Sequence, residues 1–151
     1  MIRHLPLASV TGNHQVAAVD TESLKTLGTT GPITYPDGLA YAPKQNKVFV
    51  SDLHGGVDAV IDAASNKLIA NILLGGGVGN TVYDSVSGHI LVAVHSVNLL
   101  AAIDPGTNQI VSRIPLAGIK KPHVVALNTG DQVAFMQAKR ITHWPWSISR
   151  Q

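Results

Sequence analysis

The chain reads as short apolar runs cut by turn residues. From Gly38 to Leu74 four runs follow one another: Gly38–Ala42, Lys47–Leu53, Val57–Ile61 and Lys67–Leu74. Pro43 to Asn46, Gly55 with Gly56, and Ala63 to Asn66 separate them. Runs this short and this rich in Val, Ile and Leu predict strands, because a helix needs about ten residues or more with a 3.6-residue period. The middle runs, "DAVID" from Asp58 and "LLAAID" from Leu99, are apolar at successive rather than alternate positions. Such strands must be covered on both faces. "IVSRIPL" from Ile110 alternates better and holds Arg113 and Pro115, which predicts a strand at a sheet edge.

The pattern recurs along the chain. "VDTESLKTL" from Val19, "IDAASNKLI" from Ile61 and "IDPGTNQIV" from Ile103 align without gaps, with Asp20, Asp62 and Asp104 spaced 42 residues apart. Each aspartate is followed three residues on by Ser23, Ser65 or Thr107. Asp there accepts hydrogen bonds from backbone amides just ahead of it, and Ser or Thr assists; this is turn chemistry between strands rather than a metal loop. A second register aligns "PDGLAYAP" from Pro36, "GNTVYDSV" from Gly79 and "PHVVALNT" from Pro122, each 43 residues on. A third aligns "NKVFVSD" from Asn46, "GHILVAV" from Gly88 and "DQVAFM" from Asp131. Four antiparallel strands per unit of about 42 residues, covered on both faces and with an exposed outer edge, describe a β-propeller blade.

The fold expected is therefore all-β: four-stranded antiparallel propeller blades in an incomplete ring of about 3 to 3.5 blades. Residues 1–35 supply the last strands of a partial blade, 36–78 and 79–121 two complete blades, 122–136 the first strands of another, and 137–151 a stretch unlike the repeat.

The repeat resembles that of the YVTN-repeat, YncE-like β-propeller family. The second strand of a blade, where that family carries its namesake motif, reads Phe49-Val50-Ser51-Asp52 here and Leu91-Val92-Ala93-Val94 one unit on. The resemblance covers residues ~9–136, and no Gly-His is followed by the Trp-Asp that completes the WD40 repeat pattern. It implies a closed ring of seven blades, roughly 300 residues at this period, for a full-length parent, and a periplasmic or extracellular location for it. A shorter arc is expected to leave apolar blade faces open for self-association, or to be a truncated product without a function of its own.

Composition sharpens the picture in three ways. The sequence is 45% hydrophobic and 13% charged, which suits a packed domain rather than a disordered one. It has no cysteine, so disulfides, thiolate metal sites and cysteine nucleophiles are excluded. The pI near 9.1 invites a nucleic-acid reading. Yet residues 1–136 hold eight of the eleven Lys and Arg and all nine Asp and Glu. The positive excess thus lies in the tail, and no basic face is expected on the folded body. No run reaches the ~18 apolar residues of a membrane span, and "MIRHLPLASV" lacks the about 7–15 apolar residues of a signal-peptide core.

The tail "QAKRITHWPWSISRQ" holds both tryptophans. Tryptophan has one codon, so its DNA is tightly constrained. Read from the third base of each codon, His-Trp-Pro-Trp forces Leu, Ala and an aliphatic residue, and the Ser and Ile codons next in line permit Val-Asp. That is the strand Leu100-Ala101-Ala102-Ile103-Asp104 again. The expectation is a change of reading frame near Met136. Sequencing the gene tests it, and downstream DNA encoding no further blade in the other frame would refute it.

Candidate chemistry falls on one face of such a ring, where the inner strands begin and the second strands end. Asp37, Asn80 and His123 stand at the starts of successive inner strands and are expected to line the channel mouth. His54 and His95 follow the second strands and are expected to form an outer arc. These residue types bind small molecules and metals. No catalytic residue is assigned and no cofactor is expected, a channel metal ion belonging to the alternative reading only; the partner is a small molecule or a protein of unknown identity. "GGGVG" from Gly75 is an inter-blade turn rather than a phosphate loop, since no helix follows it. Two functions compete. One is the non-catalytic binding scaffold that the resemblance implies. The other is a lactonase-type metal-dependent hydrolase, since similar propellers hold a channel metal between acidic and amide ligands.

Overall fold

The computed structural model describes residues 6–138, which fold into thirteen strands, one 3-10 turn and no α-helix. Residues 139–151, which hold most of the stretch expected to be out of frame, lie outside the described residues. Among the described residues no helix is long and apolar enough to cross a membrane.

Four antiparallel sheets follow one another. β1 (Leu7–Val10), β2 (Gln15–Val19) and β3 (Thr26–Thr30) form the first; β4 (Pro36–Ala42), β5 (Lys47–Asp52), β6 (Val57–Asp62) and β7 (Lys67–Leu73) the second. β8 (Val78–Tyr83), β9 (Ile90–Val94), β10 (Leu99–Asp104) and β11 (Gln109–Pro115) form the third; β12 (Pro122–Asn128) and β13 (Val133–Ala138) the last. Strand order within each sheet is the order in sequence. Strands β4, β8 and β12 are neighbours across the sheets. This is propeller architecture: two complete four-stranded blades flanked by two partial ones, in an open, incomplete ring. β13 continues the ladder through Gln137, opposite Val124, and Ala138, opposite Pro122.

Double-sided apolar strands have a direct physical reason, because each complete blade is sandwiched. In β5, Val48 and Val50 pack toward the first sheet with Val16, Ile33, Ala59 and Ile61. Phe49, between them, packs the other way with Val60, Ile72, Val78 and Val92. A third, smaller core joins Ala93 and Leu100 to Val125 of the last sheet. The outer strand β7 alternates, β11 is exposed along almost its whole length, and Leu73, Val111 and Ile114 are exposed there.

The turns form as their aspartates predict. The carboxylate of Asp20 accepts from the amide and hydroxyl of Ser23, and that of Asp62 from those of Ser65. Asp104 accepts from the Gly106 amide and the Thr107 hydroxyl. Each of these hairpins also has one left-handed residue, successively Leu24, Asn66 and Asn108.

Candidate functional site

Every inner strand opens with a register shift. Pro36 pairs with Asp52 and Leu39 with Val50, so Asp37 and Gly38 bulge opposite Ser51. Val78 pairs with Val94 and Thr81 with Val92, so Gly79 and Asn80 do the same opposite Ala93. In β12 the shift falls at His123. An extra residue in a ladder bends the strand and re-aims its side chain, which is how these sheets turn polar groups toward one another.

The geometry gathers part of the predicted set. His123 Nε2 lies 3.6 Å from Asp37 Oδ2, joining the inner strands of the second and last sheets. The His95 ring stands 6.4 Å from the His123 ring, centroid to centroid, at 61°. Asn80, between them in β8, clamps β12: its Oδ1 accepts from the Val125 amide at 2.6 Å and its Nδ2 donates to the Val125 carbonyl at 3.3 Å. Asn80 therefore serves the seam with the last sheet. His54 is exposed and lies against Tyr35, ring centroids 4.6 Å apart, rather than with the other histidines.

The ladders also correct the expected equivalences. Asp37 corresponds to Gly79 and His123, whereas Asn80 corresponds to Gly38. The connection from β11 to β12, residues 116–121, is two residues longer than that from β7 to β8, residues 74–77. A uniform spacing averages over that insertion and shifts Asn80 by one place. His95 likewise corresponds to Leu53, since its amide donates to the Gly77 carbonyl as that of Leu53 does to Tyr35.

Glycines make the close approach feasible. A Cβ at Gly79 would run into the carbonyl oxygen of His123, and one at Gly77 would stand 2.8 Å from the His95 ring. A Cβ at Gly38 would lie 2.8 Å from the Asn80 Cβ. The Nδ1 of His123 is buried with no hydrogen-bond partner, while its other nitrogen faces Asp37.

Asp52 and Asp58 were not among the predicted site residues, and they differ from each other. Asp52 is buried at the end of β5 and accepts from the amides of Thr34, Tyr35 and Gly55 at 2.8 to 2.9 Å. Burial pushes its carboxyl up, but the amides of Gly55, Tyr35 and Thr34 together hold it below the usual carboxylate range. Asp58 is wholly buried in the seam between the complete blades. Its positional counterparts are Val16 and Leu100, so a carboxylate in an aliphatic column was a readable anomaly. A separate groove of about 430 Å³ between β7 and the 107–110 segment holds none of the predicted residues.

Among the described residues, no three His, Cys, Asp or Glu side chains stand together in a way that could hold a metal ion.

No protein-family model matches the sequence, and no curated protein does. Solved structures do match in fold. The chain is similar to hydrazine synthase of Kuenenia stuttgartiensis, with a TM-score of 0.73 and 21% identity over 79% of this chain and 34% of that one. It is also similar to the dihydro-heme d1 dehydrogenase NirN, solved in complex with DHE, with a TM-score of 0.73 and 18% identity over 89% of this chain and 30% of that one. Both are propeller proteins, and the chain spans about a third of the length of each. At this identity the likeness establishes the fold: these residues form β-propeller blades.

Proposed function

We propose that the chain acts as a non-catalytic binding scaffold of the YncE-like kind, with a small molecule or a protein segment seated at the mouth where Asp37, His123 and His95 meet. The observation that carries this reading is how the carboxylates are engaged. Asp20, Asp62, Asp84 and Asp104 cap their own turns. Asp52 holds three amides, Asp58 is enclosed in the seam, and Asp131 accepts from the Asn128 side chain. Among these aspartates Asp37 alone presents its carboxylate to another candidate residue.

A lactonase-type hydrolase needs a channel metal with several acidic or amide ligands. The mouth offers one carboxylate, and the side-chain amide of Asn80 is already bonded to Val125. This supports the scaffold over the hydrolase. Metal analysis of the purified protein, run beside a lactone hydrolysis assay, separates the two. The expected result is metal far below one ion per chain and no turnover. Stoichiometric metal with turnover would replace the scaffold by the hydrolase.

The same reading extends to the open faces. Phe135 pairs with Ala126 in the last sheet as Phe49 pairs with Ala40 and Leu91 with Val82 in the complete blades. Phe49 is covered by the following blade and Leu91 packs against the core beyond it. Phe135 is 59% exposed. We infer that this face supports self-association of the chain.

A further inference from the structure

We propose that the seam between the two complete blades is a proton-operated joint, with Asp58 of β6 as its titrating group and the channel mouth as the part it moves. Asp58 lies directly opposite Ser51 of β5 and Ile72 of β7. It shares their face with Phe49 and Val60, the face covered by the following blade. Its Oδ2 is 3.3 Å from the Thr81 hydroxyl, which reaches it from β8 of that blade. Its Oδ1 is buried with no partner. In the sheets on either side, Val16 and Leu100 occupy the same place and are buried.

A neutral carboxyl fits such a site. It is uncharged, and it exchanges one hydrogen bond with Thr81 in either direction. An ionised one does not fit, because its second oxygen would carry charge with no donor, and a buried unpaired charge is costly enough to open the packing or admit water. Burial accordingly pushes the carboxyl up to about 8, against the lowering effect of the Thr81 hydroxyl. The other titratable or charged side chains on the elements around it are Lys47 and Asp52 of β5, Asp62 of β6, Lys67 of β7, Asp37 and Tyr41 of β4, Tyr83 of β8, Asp104 of β10 and Arg113 of β11. None of them contributes to its shift, which comes from burial and Thr81 alone.

The joint connects to the mouth through two short links. Thr81 follows Asn80, whose side chain clamps Val125 of β12. Ser51, opposite Asp58, accepts the Gly38 amide at 2.9 Å and so fixes the bulge that carries Asp37. A shift of β8 away from an ionised Asp58 moves both sets of contacts.

The sign comes from linkage. A carboxyl that keeps its proton in the fold up to about 8, against 3.8 outside it, makes the native chain bind the extra proton between those values. Its contribution to stability is therefore full at acid pH, falls across that window and is level above it. The test is the urea-unfolding midpoint of the whole chain against pH, for wild type, Asp58→Asn and Asp58→Leu. Wild type is expected to lose stability relative to both variants from about pH 4 to about pH 8, with the difference constant above about pH 9. Equal pH slopes in all three would overturn the proposal. The carboxyl carbon resonance of Asp58 in the unmodified protein decides the matter if the variants fail to fold. Titration near neutral or above supports the joint, and titration near 3.8 refutes it. Amide exchange at Thr81 and Gly38, corrected for intrinsic rate, is expected to accelerate about tenfold or more above about pH 8 in wild type. No acceleration there would remove the link to the mouth.

Discussion

At the scale of the residue, single side chains here act mostly on the backbone. Asp52 satisfies the Thr34 and Tyr35 amides at the entrance to β4 and the Gly55 amide in the turn after β5, so Asp52→Ala should cost about 1–3 kcal/mol in urea unfolding, since it leaves part-buried donors unpaired. Its carboxyl is held low in the fold, so its contribution is present above the ordinary value of 3.8 and is lost as pH falls through its folded value. The acid limb of the wild-type stability curve should therefore flatten in the variant. Leu24 makes the opposite case. It is left-handed, with φ 55°, and 79% exposed, at a turn position where Asn66 and Asn108 stand in the next two units. Leu24→Asn should raise the unfolding free energy by about 1 kcal/mol, because a left-handed backbone is costly for most side chains and tolerated by Asn. The turn aspartates were legible in the sequence because their chemistry is local. The roles of Asp52 and Asp58 were not predicted, since each depends on a partner brought by another strand or blade. For Asp58 a trace was still present, a carboxylate in a column of Val and Leu.

At the scale of the element, the strands and their double-sided burial were readable from apolar runs, and the observed strands match the expected ones to within a few residues. What escaped was the phase. The left-handed residues of the hairpin between first and second strands are Asn46, Gly88 and Gln132, spaced 42 and then 44 residues apart. Different residue types fill one conformational place, so the identities alone gave no gap. Because the 116–121 connection is longer, an even spacing picked Asn80 in place of its neighbour Gly79, the true counterpart of Asp37 and His123, and one residue in a strand means the opposite face. The seams make their own prediction. Phe49 is fully buried between the complete blades, while Val111 is 53% exposed on the outer strand β11. Phe49→Ala should cost about 3–5 kcal/mol, and Val111→Ala about 0.5 kcal/mol or less. Equal costs by urea unfolding would mean that the central core is misplaced.

At the scale of the whole molecule, an open arc of blades has faces that a closed ring would cover. Phe135→Ser should weaken concentration-dependent association, followed by sedimentation equilibrium, by roughly tenfold to a hundredfold, in line with the about 1.5–3 kcal/mol that burying such a side chain contributes. Identical association of the two proteins would move the contact elsewhere. The proposed binding mouth is likewise a property of the assembly, because Asp37, His95 and His123 come from three successive sheets and approach one another only if the blades stack around a common axis. The most direct test of that claim is the histidine imidazole spectrum of the folded protein with and without Asp37→Asn. Stacked blades predict a large change at His123, which faces Asp37 at 3.6 Å, a smaller one at His95, and none at His54, which lies against Tyr35. An unmoved His123, or a His54 that moves as much, would contradict the site and the stacking that builds it.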